Sequence, residues 1–321
     1  MTRSTVDALG AAELDPTHVA GIVRRALDED LAGGMDVTSV ATIPARHHGT
    51  ADLVARAEGV VAGLPVVAAV FDLVDTITAD AYIGSAEEWR DGPDSLAASP
   101  IRVSPQVSDG DLVRPGDVLL AVSGPIRALL TAERTALNMV SHLSGVATLT
   151  RRWVDAVTGT GAVIRDTRKT LPGLRALEKY AVRCGGGVNH RMSLSEAALV
   201  KDNHVAAAGG VAAAFAAVRK AFPGVAVEVE CDSVDQVADA VQAGADLILL
   251  DNMALADLVR AVQLAKPHGV QLEASGGLTL EGARAVAQTG VDFLAVGALT
   301  HSAPALDVGM DLRPGTERDG R

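Results

Sequence analysis

Residues 164–190 read IRDTRKTLPGLRALEKYAVRCGGGVNH. The stretch opens on the end of an apolar run and then sets Arg165, Asp166, Arg168 and Lys169 within five residues. Neighbouring cations repel unless anions lie between them, and an ordinary surface mixes the two signs. Three cations where a strand ends therefore point to a polyanionic ligand that completes the site. The alternative is a solvated face on which Asp166 and Glu178 neutralise them; a position directly after a buried strand argues against it.

The same placement recurs along the chain and decides the fold. Apolar strand-like runs occur at 162–168, 198–202, 225–231, 246–251, 271–275 and 293–298. Between them lie Ala-rich stretches with helical spacing, such as VAAAFAAVRKAF (211–222) and VDQVADAVQAGA (234–245). Repeated strand–helix–strand units imply a parallel sheet with right-handed crossovers. Each run ends in polar or Gly-rich residues: Arg168 and Lys169, then Lys201, Asp202 and Asn203, then Glu230, then Asp251 and Asn252. SGG (275–277) and VGAL (296–299) complete the series, with His301 just beyond. A βα barrel delivers every strand's C-terminal end to one face, where chemistry collects. The spacing thus predicts an incomplete parallel α/β barrel of six to seven strands.

The first half reads differently. A helix is expected over 17–31, short β-like segments over 50–62 and 79–83, and turns within DGDLVRPGDVLLAVSG (109–124). Residues 127–158 form a long helical stretch joining the two halves. The polar, Pro-rich 85–105 reads as a surface loop, and the last dozen residues, which are charged, as loose chain.

Composition sets the outer limits. The 321 residues suffice for two modest domains, or for one barrel with an addition. The chain is 48% hydrophobic but only 2% aromatic, so its core must be built from Ala, Val, Leu and Ile. A formal net charge of -12 leaves no excess of cations to neutralise phosphates, which argues against a nucleic-acid partner. Cys184 and Cys231 form neither a metal-ligand pattern nor a disulfide framework, and are expected as small buried hydrophobes. MTRSTVDALG lacks a signal core. The longest apolar run, 60–71, is broken by Pro65 and too short to span a bilayer. The expectation is a soluble, cytoplasmic protein without a membrane partner.

The cations Arg165, Arg168, Lys169, His190, Arg191 and Lys201 belong to one βα unit and its successor. Arginine offers a planar fork to carboxylate or phosphate, whereas lysine acts as a point charge. An aromatic dicarboxylate and a sugar carrying several phosphates would each use both. The late turns LEASGGLTLEGA (272–283) and FLAVGALTHSA (293–303) offer backbone N–H groups to phosphate. Glu230 and Asp251 end neighbouring strands, where they can share a Mg2+ ion or flank a developing cation; the bland alternative is that they only neutralise Lys201 and Lys169. Glu228 shares the parity of Glu230 and is expected to face the barrel interior.

Together TAERTALNMVSHLSGVAT (131–148), RDTRKTLPGLRALEKYAVRCGGGVNHR (165–191), LVKDNH (199–204), VEVEC (227–231), LLDNM (249–253), LEASGG (272–277) and VGALTHSAPALD (296–307) resemble the quinolinate phosphoribosyltransferase family. The likeness includes EDLAGGMDVTS (29–39) and covers roughly residues 20–312. The 85–105 segment is longer than the family usually carries. The resemblance implies an N-terminal α/β sandwich domain over 1–140, with 303–321 packing back on it, and a barrel domain over 141–302. It implies a homodimer, quinolinate and phosphoribosyl pyrophosphate as substrates, and Mg2+ as cofactor. By matching position, Arg134 reaches quinolinate from the partner subunit, while Thr167, Arg168, His190, Arg191 and Lys201 surround it. Lys169, Glu230 and Asp251 match the residues around phosphoribosyl pyrophosphate and its Mg2+, with Lys169, Lys201, Glu230 and Asp251 as the catalytic set. Ser275, Gly276, Gly297 and His301 match the phosphate-binding loops. Rival readings are a Schiff-base lyase or aldolase using Lys201, a non-catalytic sugar-phosphate-binding barrel, and a molybdate-operon paralogue of the same fold.

Overall fold

Short apolar strands alternating with Ala-rich helices can bury both sheet faces only if every crossover carries a helix. The computed structural model, which describes residues 1–45, 47–82 and 101–313, obeys this in one of its two compact units. These units are residues 1–148 with 304–321, and residues 149–303. The division falls inside a helix, later than the 140/141 read from sequence, because no breaker interrupts that helix.

In the first unit, α1 (Arg3–Ala11), α2 (Pro16–Leu31) and α3 (Val37–Thr42) each start at a side-chain cap: Thr2, Asp15 and Asp36 accept from backbone N–H groups one turn on. Strands β1 (His48–Ala55) and β2 (Gly59–Val60) precede α4 (Leu64–Tyr82), and β3 (Arg102–Pro105), β4 (Leu112–Val113) and β5 (Val118–Pro125) follow it. Helix α5 (Ile126–Val157) then leads into the second unit. The chain returns as β12 (Val308–Leu312), completing an antiparallel sheet ordered β12-β1-β5-β3. Helices α1 and α2 pack on α4, burying Leu9, Val23, Leu27, Val70 and Phe71.

The second unit carries β6 (Val163–Arg165), α6 (Arg175–Cys184), β7 (Ala197–Val200), α7 (Asp202–Ala208), α8 (Val211–Ala221), β8 (Ala226–Cys231), α9 (Val234–Gln242), β9 (Leu247–Asp251), α10 (Leu255–Ala265), β10 (Gln271–Ser275), α11 (Ala283–Ala287), β11 (Phe293–Ala295) and α12 (Ala298–His301). Its six strands are all parallel in the order β6-β11-β10-β9-β8-β7, with β6 and β7 as the two edges. This is the incomplete α/β barrel, and it matches the six apolar runs. Beyond β6, Val188 lies alongside Arg165 in a parallel bridge, so the GGGV loop extends the sheet by one residue.

Several expectations change. Residues 79–82 continue α4 rather than forming a strand, since adding turns to an existing helix is easier than nucleating a new element. Of the expected 85–105 loop, residues 102–105 form β3, an edge strand whose polarity suits its exposure; 85–100 lie outside the described residues. Residues 310–312 belong to β12, and α1 was not anticipated. Cys231 is buried and its thiol is pushed up to about 12 by burial and nearby carboxylates, but Cys184 is half-buried. Among the described residues no helix is long and apolar enough to cross a membrane.

What fixes the loop after α6 to the end of β6 is a buried ion pair. Lys179 and Asp166 are both fully buried, with Nζ 2.6 Å from Oδ1. Lys179 also donates to the carbonyls of His190 (2.6 Å) and Arg191 (3.1 Å). Asp166 in turn accepts from the His190 N–H (2.8 Å) and from Asn189 Nδ2 (2.6 Å). Burial pushes the Asp166 carboxyl up and the Lys179 ammonium down, while their mutual attraction opposes both shifts. All three Lys179 protons have acceptors, which is the condition for a buried pair to persist. We therefore expect Lys179→Met, which strands Asp166, to destabilise the second unit by about 3–5 kcal/mol. Loss of the exposed Asp257 partner in Arg260→Ala should cost less than about 1 kcal/mol. Denaturant unfolding of both variants checks the contrast.

Candidate active site

The strand ends of the barrel unit open onto a cavity of about 800 Å3. Thr167, Arg168 and Lys169 enter it from the end of β6, His190 and Arg191 from the loop after α6, and Lys201 from the end of β7. Glu230, Asp251 and Ser275 enter from β8, β9 and β10. Leu194, Ala207, Ala208 and Ala214 supply an apolar wall. Residues taken from six separate stretches of sequence thus meet at one face.

Gly297, after β11, adjoins the same end: a Cβ there would stand 2.9 Å from Lys169 Cδ, 3.4 Å from His301 Nε2 and 3.5 Å from Thr167 Oγ1. Thr300 Oγ1 donates to the Lys169 carbonyl at 2.8 Å, tying α12 to the cation-bearing segment. His301 is exposed and its Nδ1 lies 2.6 Å from Ser302 Oγ. Gly276 leaves room for the Asn252 side chain, which a Cβ would approach to 2.5 Å. Arg134 belongs to the first unit, exposed on α5 beside Glu133, whose carboxyl burial pushes up against the pull of Arg134.

The cations are incompletely neutralised. Arg168 Nε is buried without a hydrogen-bond partner among the described residues. Burial and the charge of Arg168 both push Arg191 down, with Glu228 opposing. Among the described residues Arg191 Nη1 donates to a neutral group, the Ala197 carbonyl, at 2.6 Å. Asp166, which a solvated face would use to neutralise them, is committed to Lys179, and Glu178 is buried with Oε2 accepting from the Leu171 N–H. A buried guanidinium nitrogen without a partner, beside a second guanidinium, has the donor geometry and charge that suit an anion.

Beneath these groups lies a polar layer of Arg165, His190, Glu228 and Glu273, of which the sequence reading missed Glu273. Arg165 Nη1 donates to Glu273 Oε2 at 2.8 Å, and His190 Nε2 lies 2.7 Å from Glu228 Oε2 and 3.5 Å from Glu273 Oε1. The Arg191 N–H donates to His190 Nδ1 at 2.7 Å, so that nitrogen is unprotonated and Nε2 carries the proton toward Glu228. Burial and the charge of Glu228 push Glu273 up to about 7, against the pull of His190 and Arg165. His190, Glu228 and Glu273 lie close enough to hold a metal, but the Nε2 proton and Arg165 already occupy the facing positions. Glu273 shares the strand parity of Ser275, so the argument that found Glu228 would have found it too. Lys179 gave no local signal.

Glu230 and Asp251 present a second, oxygen-only set. Lys201 Nζ sits 2.5 Å from Glu230 Oε2, and Asn252 Nδ2 donates to Asp251 Oδ2 at 2.9 Å. Their other carboxylate oxygens have no hydrogen bond among the described residues. Hard oxygen donors from two carboxylates, beside a cavity able to take phosphates, fit Mg2+. A lysine nucleophile, by contrast, would have to surrender its bond to Glu230.

Similarity to known proteins agrees with this geometry. Models of the quinolinate phosphoribosyl transferase N-terminal and C-terminal domains match residues 36–144 and 146–311. The nicotinate-nucleotide pyrophosphorylase (carboxylating) of Mycobacterium leprae is 51% identical over 90% of this chain and 95% of its own length. A probable nicotinate-nucleotide pyrophosphorylase (carboxylating) of Bacillus subtilis is 39% identical over 88% and 90%. Among solved structures, NadC from Streptococcus pyogenes superposes with a TM-score of 0.83 at 36% identity, covering 94% of this chain and 98% of that one. The nicotinate-nucleotide pyrophosphorylase from Francisella tularensis gives 0.82 at 35%, covering 92% and 96%. With both domains matched in order and 51% of the aligned residues identical to a relative covered over 95% of its length, the chain belongs to the quinolinate phosphoribosyl transferase family.

Proposed function

We infer that this enzyme transfers a phosphoribosyl group from phosphoribosyl pyrophosphate to quinolinate and removes CO2, giving nicotinate mononucleotide and pyrophosphate for NAD biosynthesis. The observation that carries the reading is the orphaned Arg168 Nε beside Arg191, with Glu230 and Asp251 lining the same cavity. Two anionic substrates and one cationic transition state need that division of charge.

Thr167, Arg168, Arg191 and Lys201 hold the dicarboxylate, Arg168 and Arg191 through their forks. Ser275, Gly276, Gly297 and His301 take phosphate groups. Glu230 and Asp251 would hold Mg2+, which when bound would neutralise charge on the pyrophosphate. As the C1–O bond breaks, its electron pair leaves with pyrophosphate, and Lys169 and Lys201 offset the growing negative charge. Glu230 and Asp251 lie where positive charge gathers on the ribose. The pyridine nitrogen supplies its lone pair to C1. The ring, now cationic, accepts the electron pair of the breaking bond to the 2-carboxylate; CO2 departs and a proton from solvent takes its place. Much of the protein's contribution is alignment of two mutually repelling anions. His190 walls the site rather than donating from Nε2, since that proton is committed to Glu228.

The enzyme so read is a cytoplasmic homodimer in which Arg134 reaches the neighbouring site. An exposed Arg beside Glu133 is by default of little consequence; its match to the family pattern is what supports the role.

Carboxyl-labelled quinolinate, phosphoribosyl pyrophosphate and Mg2+ incubated with the protein should yield labelled CO2 and a nucleotide; absence of both under varied conditions would end this reading. In the same assay Arg168→Lys should raise the quinolinate KM by about tenfold or more, the loss of one bidentate charged contact, and move the other substrate's KM less. Equal losses would contradict the division of labour. For the dimer, Arg134→Ala and Lys169→Ala should each be nearly inactive. After unfolding and refolding the mixture, about half the dimers are mixed, so roughly a quarter of all sites should recover. A mixture that stays inactive while mixed dimers demonstrably form would remove Arg134 from the neighbouring site.

A further inference from the structure

Three described residues other than glycine hold left-handed backbone: Glu13, Ala32 and Asn252. Ala32 caps α2 and Glu13 follows the cap of α1, so both are ordinary helix ends. Asn252, at φ 54°, instead follows strand β9, directly after Asp251. Asparagine tolerates this region better than most residues, but a residue held there away from a helix end is usually fixed by its surroundings and marks a working site.

The surroundings of Asn252 are specific. Its N–H donates to the Ser275 carbonyl at 2.9 Å, joining the end of β9 to the end of β10. Its Nδ2 donates to Asp251 Oδ2 at 2.9 Å. Its amide fills the space over the next turn: a Cβ on Gly276 would stand 2.5 Å from Asn252 Cγ and 2.6 Å from Nδ2 and Oδ1, and one on Gly277 3.4 Å from Oδ1. Gly276 and Gly277 both have positive φ, at 84° and 58°, so the turn is shaped around this side chain. One amide therefore touches the carboxylate assigned to metal and ribose and the turn assigned to phosphate.

We propose that Asn252 is a positioning residue for phosphoribosyl transfer, fixing the Asp251 carboxylate and its spacing from the Ser275–Gly277 turn. The proposal rests on the reading of the site given above. A carboxylate with one oxygen tied to Asn252 cannot rotate freely, and presents its other oxygen in one direction. A turn packed on the same amide keeps its N–H groups at a set distance from that oxygen. Phosphoribosyl pyrophosphate spans the two places; quinolinate, held by the arginines after β6 and α6, does not. Loss of the amide should accordingly penalise one substrate selectively.

Asn252→Gly is the informative variant, because glycine takes φ 54° without strain and leaves the neighbouring turn unobstructed. It should keep the melting temperature of the wild type. With misplacement of a reacting group as the cause, kcat over KM for phosphoribosyl pyrophosphate should fall about 10–100-fold. The quinolinate dissociation constant should stay within about twofold, since no fork to its carboxylates is disturbed. As a readout apart from turnover, the thermal upshift produced by phosphoribosyl pyrophosphate with Mg2+ should shrink, and that produced by quinolinate should persist. Asn252→Asp, which keeps the shape but replaces the donor facing Asp251 by an acceptor, should show the same selectivity, and serves if the glycine variant folds poorly. Wild-type kinetics in either variant would overturn the proposal, as would equal loss of both ligands, which marks a merely structural role. A wild-type chain that transfers no phosphoribosyl group would instead overturn the functional reading itself.

Discussion

The bond between Lys179 and Asp166 is the constraint on which the site depends. It lies wholly inside the barrel unit, where an unpaired charge is intolerable, and it spans thirteen residues of sequence. Because Lys179 also holds the carbonyls of His190 and Arg191, and Asp166 holds the His190 N–H, the pair fixes both ends of a path from β6 to the loop after α6. Arg168 and Arg191 approach each other because these two segments are tied together, by this pair, by the bridge of Val188 to Arg165, and by Arg175, which donates to the Met192 carbonyl at 3.0 Å and the Arg168 carbonyl at 3.5 Å. Their mutual repulsion is a cost that the buried pair offsets, and that a bound anion would relieve.

A second consequence concerns selectivity. A chain with formal net charge -12 repels anions at long range, so it cannot gather them by general attraction. Affinity must come from a few donors in fixed places. The layer of Arg165, Glu273, His190 and Glu228 serves that end by occupying the inward side of His190, so that the groups facing the cavity from this side are chiefly guanidinium and ammonium. Lys201, paired with Glu230 in the same cavity, sets a cation beside the carboxylates.

The barrel was largely legible in the sequence. Each apolar run became a strand, and Lys169, Lys201, Glu230, Asp251 and Ser275, which end five of the runs, line the shared cavity, because strand direction and the βα alternation are local properties that a parallel sheet repeats. Where runs extended past the observed strands, as at 162–168, the excess was the cation-bearing segment itself. Less legible were features decided by distant partners. Glu178 reads from sequence as a candidate surface partner of the cations and Lys179 carries no local signal, yet both are buried, each held by a group several residues away. Strand β3 looked like loop because an edge strand need not be apolar. Arg134 had no chemical signature of its own, and its assignment came only from resemblance.

The most direct test is amide hydrogen exchange on the loop carrying His190 and Arg191, comparing the wild type with Lys179→Met at a temperature where both remain folded. If the buried pair presents the cations, the His190 amide and its neighbours should lose protection in the variant, strands β8 to β10 should keep theirs, and quinolinate affinity should fall with the loop. A loop that stays protected, with quinolinate bound as tightly as by the wild type, would contradict the account.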